Sequence, residues 1–171
     1  MDHDCWIEDK IAQLRQNNLW RSLRSIESIP LGRAKIDGKE IVLLGSNNSL
    51  GLSAHPEVIE ARKNALTEFG TGSSGSRLTT GNLNLYTKLE RKIASLKQTE
   101  AAIVFSSGYL ANIGVIPALA VEGDLILSDE LNHASIIDGC RLSKARKSIY
   151  LHSDLNHLEH LLKDASRYQR Q

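Results

Sequence analysis

Hydrophobic residues recur at helical spacing in three segments of the first hundred residues. Apolar side chains on one face predict a helix over 7–20, with Arg21 and Arg24 after its end, where cations complement the helix dipole. Pro56 is predicted to open a second helix, because proline is tolerated in the first helical turn. A third helix is predicted over 85–96, where leucine and isoleucine share one face and basic side chains lie outside it.

The segments between these helices carry turn and loop signals. Asp37-Gly38 stands between two short apolar runs of 34–44 and predicts a β-hairpin. The composition of 45–52 is typical of a loop. Four of the chain's twelve glycines lie in 69–81, with hydroxyl residues between them. This segment has few apolar side chains that could pack in a hydrophobic core, so we expect a loop shaped by positive φ angles or by a ligand.

Strand-like apolar runs alternate with helical patterns from residue 100 onward. Strands are predicted at 101–105, 125–127 and 148–151, and helices at 109–120, 133–142 and 155–165. Pro117 is expected to kink or end the first of these helices, and Asp129 or Asn132 to cap the second. Such alternation predicts a parallel α/β sheet. Three parallel strands make a small sheet, so the chain looks cut off before a next strand.

Composition narrows the class of protein without identifying it. The 171 residues are 41% hydrophobic and carry a net charge of +1, with a pI near 7.8. This balance gives no electrostatic reason to expect nucleic acid or a membrane surface as a partner. The sequence shows no secretory signal pattern, no apolar run of membrane-spanning length and no cysteine framework for disulfides. We therefore expect a cytoplasmic protein.

Two strand-to-helix junctions carry the most informative chemistry. The apolar run Ala101–Phe105 ends in Ser106, Ser107 and Gly108, and the next junction carries His133. The first turn of a helix offers free N–H groups to an anion, glycine allows close approach, and serine adds a hydroxyl. Parallel strands place such junctions at one edge, so we expect one shared ligand with a phosphate and a ring. The alternatives are a plain N-cap at the first junction and a capping or surface histidine at the second.

Four motifs occur in an order that resembles one enzyme family. They are Asn47-Asn-Ser-Leu-Gly-Leu52, Gly70-Thr-Gly-Ser-Ser-Gly-Ser-Arg-Leu-Thr-Thr-Gly81, Ser107-Gly-Tyr-Leu-Ala-Asn112 and Asn132-His-Ala-Ser135. Together they are similar to motifs of the α-oxoamine synthases, pyridoxal 5'-phosphate (PLP) enzymes of fold type I, the aspartate aminotransferase fold. The likeness covers the whole chain. It implies the N-terminal portion of that α/β fold, with a helix and hairpin segment over 1–45 and the first part of the large PLP-binding domain over 46–171.

The resemblance implies PLP as the cofactor and assigns residues to it. Gly108 and Tyr109 would donate backbone N–H groups to its phosphate, and Ser107 would add a hydroxyl bond. His133 would stack on the pyridine ring, help to orient the incoming amino acid and so act in catalysis.

The resemblance also implies substrates and a partner subunit. The family member with the greatest likeness condenses L-alanine with a pimeloyl thioester in biotin synthesis, releasing carbon dioxide and a thiol. Arg21 would bind a substrate carboxylate with its bidentate guanidinium, whereas Arg24 is expected to be a solvated cation. Asn47, Ser76 and Arg77 would line the substrate site, in part from the neighbouring subunit of a homodimer. The alternative for the loop residues is a role in backbone geometry alone.

The lysine to which such enzymes attach PLP is not recognisable here. The family places it in a Ser/Thr-x-x-Lys context, and the aspartate that pairs with the pyridine nitrogen in an Asp-Asp-Ala-His run; neither motif occurs. The ten lysines lie on predicted helix faces or in turns, where a solvated amine reacts poorly with a carbonyl. We therefore expect the 171 residues alone to be inactive.

Other activities remain open. Sister reactions on the same scaffold are those of glycine C-acetyltransferase, 5-aminolevulinate synthase and serine palmitoyltransferase. A non-catalytic module that binds a phosphate ligand is an alternative from a different class. His152, His157 and His160 are close in sequence, and we interpret them as surface histidines rather than a metal site, because no further ligand cluster accompanies them.

Overall fold

A computed structural model describes residues 5–27, 32–163, 165 and 168. The chain divides into two compact units, Met1–Ser73 and Ser74–Gln171. The functional boundary expected after residue 45 lies within the first unit and stays a prediction. Among the described residues, no helix is both long enough and apolar enough to cross a membrane.

The described residues of the first unit form two α-helices, a β-hairpin and a short 3-10 helix. Its elements are α1 (Cys5–Gln16), β1 (Arg33–Ile36), β2 (Lys39–Val42), a short 3-10 helix (Leu52–Ala54) and α2 (Pro56–Phe69). The predicted hairpin is confirmed: Ile36 pairs with Lys39, and the two residues between them, Asp37 and Gly38, have φ angles of 50° and 74°. Two successive positive φ angles are typical of the type I' turn, which matches the twist of paired strands. Pro56 opens α2 as predicted.

The first helix is shorter than the hydrophobic pattern predicts. It ends at Gln16 rather than at residue 20, because Asn18 adopts a left-handed φ of 55°. The N–H groups of the next two residues turn back to the carbonyl of Leu14. Asparagine tolerates this conformation and often ends helices. The cation of the last turn is therefore Arg15 and not Arg21.

The second unit is an α/β arrangement. Its elements are α3 (Asn84–Lys97), α4 (Gly108–Leu119), β3 (Leu125–Asp129), α5 (Ala134–Leu142), β4 (Arg146–Tyr150) and α6 (Leu155–Lys163). β3 and β4 pair in parallel, from Leu125 opposite Arg146 to Asp129 opposite Tyr150, and α5 connects them. The predicted alternation is thus confirmed from β3 to α6. Helix α4 continues through Pro117 to Leu119.

The strand predicted over 101–105 is wrong. These residues form no strand, so the parallel sheet of the described residues has two strands instead of three. The N–H of Val104 donates to Glu90 Oε1 at 2.9 Å, and its carbonyl accepts from Arg77 Nη1 at 3.0 Å. Side chains therefore satisfy the backbone groups that a neighbouring strand would otherwise bond.

Much apolar surface stays uncovered within the described residues. The buried hydrophobic residues are Ala34, Ala94, Leu125, Cys140, Ala145 and Ala165. On the predicted apolar face of α3, Leu89 is 47% exposed and Leu96 is 78% exposed. Four of these six residues are alanines, whereas many of the larger apolar side chains are exposed.

Candidate cofactor site

Helix α4 begins with free backbone donors and open space. Ser107 is its N-cap, and Ser107 Oγ accepts from the N–H of Leu110 at 3.1 Å. Within the described residues, the N–H groups of Gly108 and Tyr109 donate to no protein acceptor. A Cβ added to Gly108 would meet no atom within 4 Å. Two donors at the positive end of a helix dipole, facing space that any larger side chain would enter, fit a phosphate group.

His133 is the N-cap of α5, a position that the sequence pattern assigned to Asp129 or Asn132. His133 Nδ1 accepts from the backbone N–H of Ser135 at 3.2 Å and lies 2.7 Å from Ser135 Oγ. Asp129 Oδ1 accepts instead from the N–H of Leu131 at 2.8 Å, and Asn132 Nδ2 donates to Ser128 Oγ at 3.1 Å. The cap uses only the Nδ1 edge of the imidazole, and the residue is exposed. Capping and stacking on a ligand ring are therefore compatible roles.

Helices α4 and α5 lie side by side with their N-termini at the same end. Asn112, the fifth residue of α4, donates from Nδ2 to Oγ of Ser135, the second residue of α5, at 2.8 Å. Tyr109, the second residue of α4, donates from Oη to Oδ2 of Asp138, the fifth residue of α5, at 2.6 Å. A Cβ on Gly139 would lie 2.8 Å from the carbonyl oxygen of Asn112, so glycine permits this close approach. The two junctions thus lie together, as predicted.

The hydrogen bond between Tyr109 and Asp138 changes the pKa of both groups. Accepting from the phenol lowers the pKa of Asp138, and the Arg141 guanidinium at 3.0 Å lowers this pKa further. The same bond raises the pKa of Tyr109, and loss of hydration raises it further. Near neutral pH the pair is a neutral phenol donating to a carboxylate, which holds the first turn of α4 against α5.

Arg77 is engaged by protein groups. Its Nη1 lies 2.7 Å from Glu90 Oε1 and 3.0 Å from the carbonyl oxygen of Val104. Its Nε donates to Asn82 Oδ1 at 2.9 Å, and its guanidinium carbon lies 4.6 Å from the centroid of the Tyr86 ring. The bond from Arg77 lowers the pKa of Glu90, and the N–H of Val104 lowers it further. This network holds the segment that leads into α4; a substrate contact for Arg77 stays a prediction.

The other residues expected to bind substrate are exposed. Arg21 and Asn47 lie in the first compact unit, and Ser76 lies in the second. Ser76 Oγ is 3.3 Å from Thr79 Oγ1 within the loop. Arg24 is also exposed, as expected for a solvated cation. The substrate roles of the first three residues stay predictions.

Every one of the ten lysines is exposed. This confirms the expectation that the lysines of this chain are solvated. An amine that attaches a carbonyl cofactor is typically activated by loss of hydration in an apolar pocket, and none of these exposed lysines has such surroundings.

The histidines near the C-terminus form pairs rather than a cluster. His152 Nδ1 lies 3.0 Å from Asp129 Oδ1. His157 Nδ1 accepts from the N–H of Leu151 at 3.2 Å, and His157 is partly buried, which differs from the expected surface position. Among the described residues, no group of three or more histidine, cysteine or acidic side chains is arranged to hold a metal ion.

A cavity of about 550 Å³ lies along β3, and none of the predicted site residues lines it. Its lining consists of Leu119, Ala120, Leu162 and residues 124–127. The one charged lining residue, Asp124, is buried and accepts from the N–H of Val121 at 2.8 Å. The cavity therefore lacks the convergent polar groups that a ligand site needs.

Comparison with known proteins identifies the family. Residues 39–170 match the aminotransferase class I and II family. The chain belongs to this family. The matched region begins in the hairpin and includes both helix N-termini, with Gly108 and His133.

Curated relatives share about half of the residues. The 8-amino-7-oxononanoate synthase 2 of Bacillus subtilis (strain 168) is 52% identical over 170 residues, which are 99% of this chain and 44% of that protein. The 8-amino-7-oxononanoate synthase of Geobacter sulfurreducens is 51% identical over 156 residues, 91% of this chain and 40% of that protein. The chain thus spans less than half the length of these relatives.

Solved structures confirm the predicted fold class. Serine palmitoyltransferase of Sphingomonas wittichii matches 94% of this chain and 40% of its own, with a TM-score of 0.82 and 37% identity. A serine palmitoyltransferase with its PLP internal aldimine matches 95% of this chain and 42% of its own, with a TM-score of 0.86 and 33% identity. The 8-amino-7-oxononanoate synthase of Francisella tularensis matches 68% of this chain and 32% of its own, with a TM-score of 0.57 and 31% identity. This chain therefore has part of the fold type I architecture.

Three site residues received no role from the sequence. Asn112 and Ser135 end two of the quoted motifs, and Asp138 lies in the helix that follows. Their positions contain a usable signal: in each helix the second and fifth residues are polar, one turn apart on the same face. Only the packing of α4 against α5 turns that pattern into two reciprocal bonds.

Proposed function

We propose that the protein containing this chain is an 8-amino-7-oxononanoate synthase, a PLP-dependent acyltransferase of the α-oxoamine synthase group. Relatives with that name share 51–52% of the aligned residues over almost the whole chain. The structural observation that carries the proposal is the pair of adjacent helix N-termini. One presents the free N–H groups of Gly108 and Tyr109, and the other is capped by His133.

The N-terminus of α4 fits the phosphate of PLP. Gly108 and Tyr109 supply two backbone donors, and the open space before Gly108 accommodates the phosphate oxygens. Ser107 caps the helix with an oxygen lone pair, which leaves its hydroxyl hydrogen for the same anion. His133 covers one face of the cofactor ring with its imidazole. When bound, PLP supplies an electron sink for the charge that develops at the substrate α-carbon.

The proposed reaction forms one carbon–carbon bond. In L-alanine the bond from Cα to the carboxylate carbon breaks and carbon dioxide leaves. A new bond joins Cα to the carbonyl carbon of the pimeloyl thioester, the carbon–sulfur bond breaks, and the thiolate that leaves takes up a proton from water. Arg21 binds the far carboxylate of the pimeloyl chain, because a guanidinium offers two parallel donors to a carboxylate. Asn47, Ser76 and Arg77 line the substrate site of a cytoplasmic homodimer.

We further propose that the lysine that attaches PLP lies outside these 171 residues. All ten lysines here are exposed, and the chain spans 40–44% of the two relatives' lengths. The chain therefore supplies phosphate and ring contacts, whereas the covalent attachment comes from elsewhere in the longer protein.

A substrate matrix tests the proposal on the full-length protein. L-Alanine, glycine and L-serine are each combined with pimeloyl, acetyl, succinyl and palmitoyl thioesters, and thiol release is followed. We expect the highest kcat/KM for alanine with the pimeloyl thioester. Arg21→Ala should raise KM for the pimeloyl thioester, while Arg24→Ala should leave it unchanged. A preference for glycine would overturn the assignment, and PLP binding without thiol release would indicate a binding module.

Serine palmitoyltransferase is the second candidate function. The solved structures of that enzyme match 94–95% of this chain with TM-scores of 0.82–0.86, above the 0.57 of the 8-amino-7-oxononanoate synthase structure. The sequence relatives favour the first proposal, because their identity is 51–52% against 33–37% for these structures. In the substrate matrix, a preference for serine with palmitoyl thioester would select this candidate.

A further inference from the structure

A chain of hydrogen bonds leads from the interior of the helix pair to His133. Asn112 Nδ2 donates to Ser135 Oγ at 2.8 Å, and Ser135 Oγ lies 2.7 Å from His133 Nδ1. Ser135 is the largest fully buried side chain of the described residues, with 1% of its surface exposed. A buried hydroxyl between two fixed partners has little freedom to turn, so its hydrogen bonds have a defined direction.

The direction of each hydrogen bond follows from which atoms can donate and which can only accept. The backbone N–H of Ser135 donates to His133 Nδ1 at 3.2 Å, so Nδ1 carries no hydrogen and acts as an acceptor. The amide nitrogen of Asn112 can only donate, so it takes a lone pair of Ser135 Oγ. The hydroxyl hydrogen of Ser135 is then directed to Nδ1. The proton of the neutral imidazole consequently lies on Nε2, for which no partner exists among the described residues.

We propose that Ser135 and Asn112 are positioning residues that hold His133 in the Nε2–H tautomer and fix the orientation of its ring. This inference rests on the proposed function only in that His133 faces the cofactor and the amino acid substrate. A bond to one ring nitrogen decides which nitrogen carries the proton and which way the ring points. We call this hydrogen-bonded chain of Asn112, Ser135 and His133 the relay. It presents an N–H donor and a fixed ring face on the ligand side of His133.

The first test reads the tautomer directly. In the full-length protein with histidine labelled by nitrogen-15, the chemical shifts of His133 distinguish a protonated from an unprotonated ring nitrogen. We expect Nδ1 without a hydrogen and Nε2 with one. A wild-type spectrum with hydrogen on Nδ1 would overturn the proposal, whatever the substrate of the enzyme.

Two variants test whether the relay, rather than the backbone N–H alone, holds this state. Ser135→Ala removes the hydroxyl, and Asn112→Asp keeps the shape while drawing the hydroxyl hydrogen of Ser135 toward the new carboxylate. Both should lower the Nε2–H population of neutral His133. If both variants keep the wild-type shifts, the backbone N–H suffices and the relay has no such role. Asn112→Asp also serves if Ser135→Ala does not fold.

Ser128→Ala is a matched control. Ser128 is also buried, at 7% exposed, and its Oγ also accepts from an asparagine, Asn132 Nδ2, at 3.1 Å. It makes no bond to His133. This variant should therefore leave the nitrogen shifts of His133 unchanged.

Kinetics supply the second readout. With the preferred amino acid, Ser135→Ala and Asn112→Asp should lower kcat by about 10-fold to 100-fold, the scale on which a misplaced group slows a reaction. The PLP dissociation constant should change by less than about threefold, because the phosphate contacts of α4 remain. If the nitrogen shifts change and kcat does not, His133 lacks the role that the proposed function gives it, and the proposed function is wrong. If the shifts do not change, Ser135 and Asn112 do not control the tautomer, and the inference about the relay is wrong.

Discussion

Tyr109 Oη lies 2.6 Å from Asp138 Oδ2, and this bond joins the first turn of α4 to the second turn of α5. The residue that offers its backbone N–H to the proposed phosphate is therefore anchored through its side chain to the neighbouring helix. Tyr109→Phe separates the two functions, because it removes the phenol and keeps the N–H. We expect a lower thermal midpoint at neutral pH with PLP affinity within about threefold of the wild type. A loss of affinity far beyond that, at an unchanged midpoint, would mean that the phenol binds the ligand.

The contribution of this bond to the stability of the fold is lost both at low pH and at high pH. The pKa of Asp138 is lowered, so its stabilisation is present above the unfolded value near 4 and is lost as the pH falls through the folded pKa. The pKa of Tyr109 is raised, so its stabilisation is present below about 10 and is lost as the pH rises through the folded pKa. The difference in thermal midpoint between wild type and Tyr109→Phe should be largest between these limits. Tyr150→Phe is the control, because that hydroxyl makes no bond among the described residues.

Glu90 is predicted to hold the segment before α4 through its charge. Its pKa is lowered by Arg77 and the N–H of Val104, so this stabilisation is present above the unfolded pKa near 4 and is lost as the pH falls through the folded pKa. Glu90→Gln should lower the thermal midpoint at neutral pH, and the difference should vanish in acid. Glu90→Leu should in addition speed hydrogen exchange at the Val104 amide. Glu60→Gln is the control, because Glu60 pairs with Lys63 on the surface and such pairs contribute little.

Larger side chains at two glycines should have different effects, one on PLP affinity and the other on stability. Gly108→Val places atoms in the open space before α4, so folding should be unaffected while PLP affinity falls at least about tenfold. Gly139→Ala drives a Cβ against the carbonyl of Asn112 and the side chain of Ile116, each at 2.8 Å. Overpacking of this kind costs about 1–3 kcal/mol of stability. Equilibrium unfolding measures the stability of both variants, and titration with PLP measures their affinity for the cofactor. An unchanged affinity in Gly108→Val would show that the phosphate does not bind at the N-terminus of α4.

The lysines of this chain should not attach PLP covalently. Reduction of the PLP-loaded full-length protein with borohydride, followed by peptide mass analysis, locates the pyridoxyl group. We expect one stoichiometric adduct on a lysine outside these 171 residues, because the ten lysines present are exposed. A stoichiometric adduct on one of these ten would show that the covalent chemistry has been misplaced.

Local chemistry made a large part of the structure predictable from the sequence. Asp37 and Gly38 form the hairpin turn because both adopt positive φ angles. Pro56 opens α2, and Ser107 caps α4, because each satisfies the geometry of a first helical turn with its own atoms. The strand–helix alternation after residue 125 follows from hydrophobic periodicity, which neighbours in sequence determine.

The tertiary structure decided what local chemistry leaves open. The run over 101–105 has the apolar character of a strand, yet a strand needs a partner, and here Arg77 and Glu90 take the backbone bonds of Val104. His133 caps α5, and its orientation depends on a buried serine that Asn112 reaches only because two helices pack side by side. The sequence by itself predicted Ser107, Gly108, Tyr109 and His133 as candidate site residues, since residue types and spacing are local properties. Their mutual distances and protonation states depend on contacts between segments far apart in the chain, which only the folded arrangement of α3, α4 and α5 creates.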